Sequence, residues 1–245
     1  MTTLQALAHF LAQKFATDRY PPDEQGGIYK PSARPIARLG LALEPFSGID
    51  NWARENQFDA LWLHRPWQLP PDALPDDIGV LYHHLPFDEH LTMGYSPAMA
   101  EAVGLQTLEP IGFKQGQNPD GTPLPKRHIG MLANAPEQTF AEWQERVRAV
   151  FGGFDEAREG QRQPINRVAV VGAMNETLVH EAAERGATLY LTGQYRPSAK
   201  EAVNETGIHM IAVGHRRSEE WGLQALEQLM VTSSAPLATR LYRPL

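Results

Sequence analysis

The segment Ile208-His209-Met210-Ile211-Ala212-Val213-Gly214-His215-Arg216-Arg217-Ser218-Glu219 indicates the fold class of this chain. Its first six residues form a short apolar run with β-branched isoleucine and valine, which is typical of a buried strand. Beyond this segment, apolar residues recur at helical spacing: Trp221, Leu223, Leu226, Leu229 and Met230. A buried strand that leads straight into a helix predicts an α/β fold, in which ligands bind at the carboxyl ends of the strands.

Two polar residues, His215 and Glu219, stand at this junction, four positions apart. If the helix has begun by His215, both side chains lie on one face of its first turn. An imidazole and a carboxylate together can bind a divalent cation. The same pair also fits an ordinary surface ion pair, because two ligands fall short of a full zinc site. The choice therefore depends on what the rest of the chain contributes.

The alternation of strand and helix recurs along the chain. Strands are predicted at 36–43, 58–63, 78–85, 128–132, 167–171, 187–191 and 208–213. Helices are predicted at 4–15, 47–56, 96–103, 139–151, 176–185 and 197–206, with Ser47 capping the second. Strand, helix, strand at this spacing is a βαβ unit, whose strands pair in parallel. The predicted fold is α/β, with two similar halves whose largely parallel sheets face each other across a central metal cleft.

The remaining segments are predicted as connections. Residues 18–34, 108–126 and 152–163 are rich in Gly, Pro and polar or charged residues, which is typical of loops. A short hairpin is the alternative for 108–126. Leu241 and Tyr242 are predicted to form a last edge strand or a packing arm.

Composition excludes several classes of protein. The chain has 245 residues, of which 42% are apolar and 21% charged, as in ordinary globular proteins. Without cysteine it has neither disulfides nor thiolate metal sites. A net charge of -7 without a basic block argues against a nucleic-acid partner. No signal peptide or membrane-spanning run is found, so a cytoplasmic protein with no membrane partner is predicted.

Polar residues follow predicted strands in both halves. His64 ends the second strand, and His84 and Asp88 follow the third. Two facing halves would bring four such residues into one cleft: His64, Asp88, His215 and Glu219. Two imidazoles and two carboxylates suit zinc, manganese or iron, and paired metals suit hydrolysis.

Each of these residues also has a structural interpretation. A strand-end histidine such as His64 can bond to backbone, and Asp88 can cap the turn before Ser96. His83 and His84 point to opposite faces of a strand, so at most one of them faces the cleft. The turn Gly172-Ala173-Met174-Asn175 lacks the dinucleotide fingerprint. From the residues alone, both interpretations stay open.

In their order, the motifs resemble the Nif-three-like dinuclear-metal family, whose members are often named GTP cyclohydrolase type-two homologues. The resemblance extends from Ile36 to Met230 and rests on these segments: 39–45 (LGLALEP), 60–67 (ALWLHRPW), 84–88 (HLPFD), 168–172 (VAVVG), 191–194 (LTGQ) and 214–219 (GHRRSE). It implies residues 1–130 and 131–245 as the two parts of a single family unit without an inserted third domain. It also implies a toroidal homohexamer.

The resemblance further implies a set of metal ligands: His64, Asp88, His215 and Glu219. Arg65 stands where the family has a second adjacent histidine, and arginine only donates hydrogen bonds, so it cannot ligate. The implied cofactor is zinc, manganese or iron, one or two ions per chain. Arg65 is then expected to bind an anionic group of the substrate, such as phosphate. His84 matches a non-ligand histidine of the family, and it or Glu219 is expected to carry the proton in catalysis.

Two functions follow from this reading. One is a metal-dependent hydrolase acting on a nucleotide or another small phosphate-bearing molecule, by ring opening of a purine nucleotide or by phosphoester cleavage. The alternative is a non-catalytic oligomeric metal-binding or protein-interaction protein, whose site is degenerate at Arg65. A fold alone does not choose between them.

Overall fold

The computed structural model describes residues 2–93, 97–232 and 236–243 of the chain. These residues group into two compact units. The first unit contains the chain up to Phe87, the segment Gly116–Leu124 and the chain from Leu223 onward. The second contains Asp88–Gln115 and Pro125–Gly222. Each unit therefore draws residues from both predicted parts, 1–130 and 131–245, and that division stays a prediction.

The secondary structure alternates between strands and helices, as predicted. The strands are β1 (Gly27–Lys30), β2 (Arg38–Ala42), β3 (Ala60–Leu63), β4 (Gly79–Tyr82), β5 (Glu109–Lys114), β6 (Arg127–Gln138), β7 (Glu156–Arg158), β8 (Ile165–Val171), β9 (Leu189–Thr192), β10 (His209–Ala212) and β11 (Ala238–Leu241). The helices are α1 (Leu4–Lys14), α2 (Ile49–Glu55), α3 (Leu85–Leu91), α4 (Pro97–Ala102), α5 (Phe140–Phe151), α6 (Glu176–Glu184), α7 (Lys200–Thr206) and α8 (His215–Val231). The α/β class is confirmed.

The first unit is built on a five-stranded sheet. Its strand order is β1-β4-β3-β2-β11, and all pairs are parallel except β1 with β4. All four residues of β3 are buried, because a central parallel strand is covered on both faces. The predicted βαβ unit is confirmed as β2, α2 and β3. The edge strand predicted around Leu241 is confirmed as β11.

The second unit contains a six-stranded sheet with the order β5-β6-β8-β9-β10-β7. Its β8, β9 and β10 are parallel, whereas β5, β6 and β7 run antiparallel to their neighbours. The predicted largely parallel character therefore holds for the first sheet but only for the three central strands here. The polar segment 108–126 contributes β5 and the connection to β6, and β5 pairs with β6 in the antiparallel orientation. The hairpin predicted as the alternative for that segment is found in part: β5 pairs with β6, which lies beyond the segment, and Gln117 and Pro123 form an isolated antiparallel bridge within it.

Local sequence signals place several helix ends. Thr139 caps α5 in a reciprocal capping box: its hydroxyl accepts from the Glu142 backbone N–H at 3.2 Å, and the Glu142 carboxylate accepts from the Thr139 N–H at 2.7 Å. The prediction of Ser47 as the cap of α2 was wrong. Gly48 is the cap, because the chain enters α2 with a φ of 83° that suits glycine.

Three elements lie where the sequence predicted connections or the end of a strand. β1 falls in segment 18–34 and β7 in segment 152–163. The third is α3, which replaces the predicted end of the strand 78–85. Its Pro86 stands in the first turn, where no backbone N–H is needed and a fixed φ favours the helix. The helix predicted from Ser96 is α4, although Ser96 itself lies outside the described residues. In the described ranges, no helix combines the length and apolar character needed to cross a membrane.

Candidate metal centre

The two parallel strands β3 and β4 bring histidines to one edge of the first sheet. They pair in register, with Leu63 opposite Tyr82. His64 directly follows β3, and His83 and His84 directly follow β4. Because the strands run in the same direction, these histidines emerge side by side at the carboxyl end of the sheet.

Three ligand-type side chains converge here: His64, His84 and Asp88. Each offers one ligand atom, and these atoms lie within 4.8 Å of one another. His84 immediately precedes α3 and Asp88 stands in its first turn, so the spacing of four places both on one helix face. The group is therefore assembled from one strand end and one helix start.

The chemistry of this group fits a divalent cation. Two imidazole nitrogens and a carboxylate oxygen are ligands that zinc, manganese and iron accept. His64 is completely buried, whereas His84 and Asp88 are half-buried, so the group has a protected side and an accessible side. Three protein ligands with an accessible side resemble catalytic zinc sites, which keep one position for water or substrate.

A backbone contact fixes the tautomer of His64. Its Nδ1 lies 3.0 Å from the carbonyl oxygen of His83. A carbonyl only accepts, so Nδ1 carries the hydrogen and the neutral ring keeps its lone pair on Nε2. A hydrogen bond from the second ring nitrogen to a carbonyl is the arrangement that orients metal-binding histidines.

His83 has a different, structural role. Its ring is buried, and its Nδ1 accepts a hydrogen bond of 3.2 Å from the Trp62 indole N–H. Burial lowers the pKa of His83 to about 3, so its ring is neutral at physiological pH. Only His84 of the adjacent pair joins the ligand group, which confirms that at most one of the two faces the site.

The position of His84 points to a different role from the one expected from the sequence. Family resemblance gave it the role of a proton carrier, whereas its position makes it a possible metal ligand. The available sequence signal was the spacing of four between His84 and Asp88, the same spacing that singled out His215 and Glu219. It was overlooked because the helix α3 was not predicted.

Arg65, which the resemblance places where the family has a histidine, forms an ion pair with a carboxylate. Its Nε and Nη2 lie 3.1 and 2.9 Å from Oε1 of Glu44, a residue that sequence reasoning did not single out. Glu44 follows β2 and Arg65 follows β3, and these strands are parallel neighbours. The pair compensates the positive charge of Arg65 at the same carboxyl edge. Its predicted role in binding an anionic substrate group stays a prediction.

His215 and Glu219 form a pair in the second unit. The helix α8 begins at His215, and His215 Nε2 lies 3.0 Å from Glu219 Oε1, which confirms that both share one face of its first turn. The Glu219 side chain is only 1% exposed, whereas that of His215 is 56% exposed. A buried carboxylate needs a polar partner, and His215 supplies one. The predicted set of His64, Asp88, His215 and Glu219 stays a prediction.

Comparison with known proteins identifies relatives over most of the chain. The sequence model of Duf34/NIF3 (NGG1p interacting factor 3) matches residues 65–239. A GTP cyclohydrolase 1 type 2 homolog of Deinococcus radiodurans is 24% identical over 90% of this chain and 85% of its own length. A protein of the same name from Pseudomonas aeruginosa is 31% identical over 62% of this chain, which spans 57% of that protein's length. Among solved structures, protein ybgI, of unknown function, matches with a TM-score of 0.75 and 17% identity, covering 100% of this chain and 99% of its own.

Proposed function

This chain belongs to the Duf34/NIF3 family, and we propose that it is a metal-dependent hydrolase of nucleotides or other small phosphate-bearing molecules. One observation carries the proposal: His64, His84 and Asp88 place three ligand atoms within 4.8 Å of one another. The relatives named GTP cyclohydrolase 1 type 2 homolog support a nucleotide as the substrate class.

Each residue has a defined task in this proposal. A divalent cation would supply Lewis acidity and would lower the pKa of a water molecule that it binds. His64 holds its Nε2 ready as a ligand, because the His83 carbonyl fixes its tautomer. His84 and Asp88 complete the ligand face from the start of α3. The half-buried position of these two leaves room for a substrate to approach.

Glu219 is the candidate proton carrier. Glu219 is buried and lies 3.0 Å from the imidazole of His215. On the ground of family membership, we propose Glu219 as the residue that accepts or returns the proton of the attacking water. The assignment of His215 and Glu219 as two further metal ligands rests on family membership. A homohexamer is proposed on the same ground, and a cytoplasmic location is proposed from the sequence pattern.

A second function is supported by the Arg65–Glu44 ion pair. A guanidinium stands where the family has a ligand histidine, and it is bound by a carboxylate at 2.9 Å. A guanidinium cannot ligate a metal ion, so a second ion would have one ligand fewer at this position. The chain would then be a non-catalytic oligomeric metal-binding or protein-interaction protein.

Metal content and hydrolysis test the proposal together. Untagged protein purified without chelator is analysed by mass spectrometry for bound zinc, manganese and iron, and then assayed on GTP, nucleoside monophosphates and simple phosphoesters. We expect at least one ion per chain and metal-dependent turnover, both lost in Asp88→Asn. The matched control is Asp18→Asn, which neutralises an exposed carboxylate. Bound metal without turnover of any of these compounds supports the non-catalytic alternative, and absence of metal contradicts the proposed centre.

A further inference from the structure

An exposed indole stands beside the candidate metal ligands. Trp67 leaves 57% of its surface open to solvent. Tryptophan is highly buried on average, because the transfer of its large apolar ring out of water lowers the free energy. An open indole next to a polar cluster is therefore a candidate contact for a bound molecule.

The ring of Trp67 lies against the ligand group itself. Its centroid is 5.1 Å from that of His84, with the planes at 83°, an edge-to-face contact. His84 in turn lies 5.0 Å from the ring of His64. A molecule bound at His64 and His84 would therefore lie close to the indole of Trp67.

The backbone presents this ring from an ordered turn. Residues Pro66–Gln68 form a single 3-10 turn, whose first residue Pro66 is buried. The turn is closed by the Leu69 N–H, which donates to the Pro66 carbonyl at 2.8 Å. Proline restricts its own φ, which constrains the backbone of this turn, and the contact with His84 positions the Trp67 ring. A preordered aromatic side chain loses little entropy on binding.

We propose that Trp67 binds the planar base of a nucleotide substrate by stacking, while the reacting part of that substrate reaches His64, His84 and Asp88. This inference rests on the proposed function and adds a specificity residue to it. Aromatic rings stack on any nucleobase, because every base has a π-face.

The test compares two ligands that differ only in the base. Calorimetric titration measures binding of guanosine monophosphate and of ribose phosphate to the manganese-loaded protein, in the wild type, Trp67→Ala, Trp67→Phe and Phe113→Ala. Phe113 is the matched control, since it is 56% exposed on β5 and its ring lies 4.2 Å from Lys126 Nζ.

We expect the wild type to prefer the nucleotide. Trp67→Ala should weaken nucleotide binding about tenfold, the usual effect of removing one stacking ring. It should leave ribose phosphate binding unchanged, Trp67→Phe should retain most of the preference, and Phe113→Ala should bind like the wild type.

Three results would overturn the inference. They are equal binding of both ligands by the wild type, equal weakening of both by Trp67→Ala, and a change of sedimentation coefficient in Trp67→Ala. Equal weakening of both ligands would mean that the Trp67 ring only positions His84. A changed sedimentation coefficient would mean that the ring is buried between copies of this chain. Hydrolysis is measured separately. A base preference that depends on Trp67 without turnover contradicts the proposed hydrolase alone, and turnover without a base preference contradicts the role of Trp67 alone.

Discussion

The Nδ1 atom of His64 lies 3.0 Å from the carbonyl oxygen of His83, and this contact aims Nε2 of a buried ring at the ligand group. The carbonyl belongs to the backbone that follows β4, and His64 follows β3. The parallel pairing of Leu63 with Tyr82 sets the distance between them. A one-residue slip of this register would turn the side chains of β3 to the opposite face and remove the contact. The sheet therefore orients the candidate ligand.

Replacing His84 distinguishes a metal ligand from a proton carrier. We expect His84→Ala to lower the affinity of the protein for the metal ion at least tenfold, because one of three converging ligand atoms is removed. Metal titration by calorimetry measures this. His9→Ala, which removes an exposed histidine of α1, is the control. Unchanged affinity with reduced turnover would instead support the proton-carrier role predicted from sequence.

Burial of His83 makes stability fall in acid. Its pKa is lowered to about 3, whereas in the unfolded chain it is near the ordinary 6.5, so between these values only the unfolded state takes up the proton. The contribution of His83 to the free energy of unfolding is complete above pH 6.5. It is lost as the pH falls towards 3, by about 1.4 kcal/mol per pH unit. Urea unfolding at pH 7, 6 and 5 should show a steeper loss in the wild type than in His83→Gln. Equal slopes for both proteins would contradict the assignment.

Arg65→His tests whether the arginine replaces a second cation. The change removes the guanidinium that Glu44 binds at 2.9 Å and offers a ligand next to His64. We expect the metal content to rise by about one ion per chain, because a like charge is removed where a cation would bind. Arg34→His removes another ion-paired arginine and should leave the metal content unchanged. If neither variant gains metal, Arg65 does not block a second ion.

Gly222 of α8 is expected to resist substitution. Replacing glycine by alanine in a helix usually stabilises it. Here an added Cβ would lie 2.6 Å from the Leu91 carbonyl oxygen, which cannot move without shifting the backbone of α3. We expect Gly222→Ala to reduce the free energy of unfolding by about 1–3 kcal/mol, measured by urea denaturation. Gln224→Ala, at an exposed position of the same helix, should be nearly neutral; a stabilising Gly222→Ala would contradict this packing.

The sequence was most informative where local signals were strong. The helical pattern over residues 139–151 and the spacing of His215 and Glu219 both predicted what the structure contains. These signals depend on residues three or four positions apart, which a helix always brings together. The prediction was wrong where local preferences conflicted, as at α3. Its Pro86 favoured the prediction of an extended segment, although proline is equally suited to a first helical turn.

The amino-acid sequence by itself determined the α/β class, the βαβ units, the strand end that carries His64 and the helix start that carries His215, because periodicity and helix signals are local. The tertiary structure alone decided which side chains meet. It selected His84 rather than His83 for the ligand group and paired Arg65 with Glu44, 21 positions away in sequence. It also left Trp67 open beside the imidazoles. Such contacts follow from strand order and register, which no local pattern specifies, because they arise only when distant segments pair and pack.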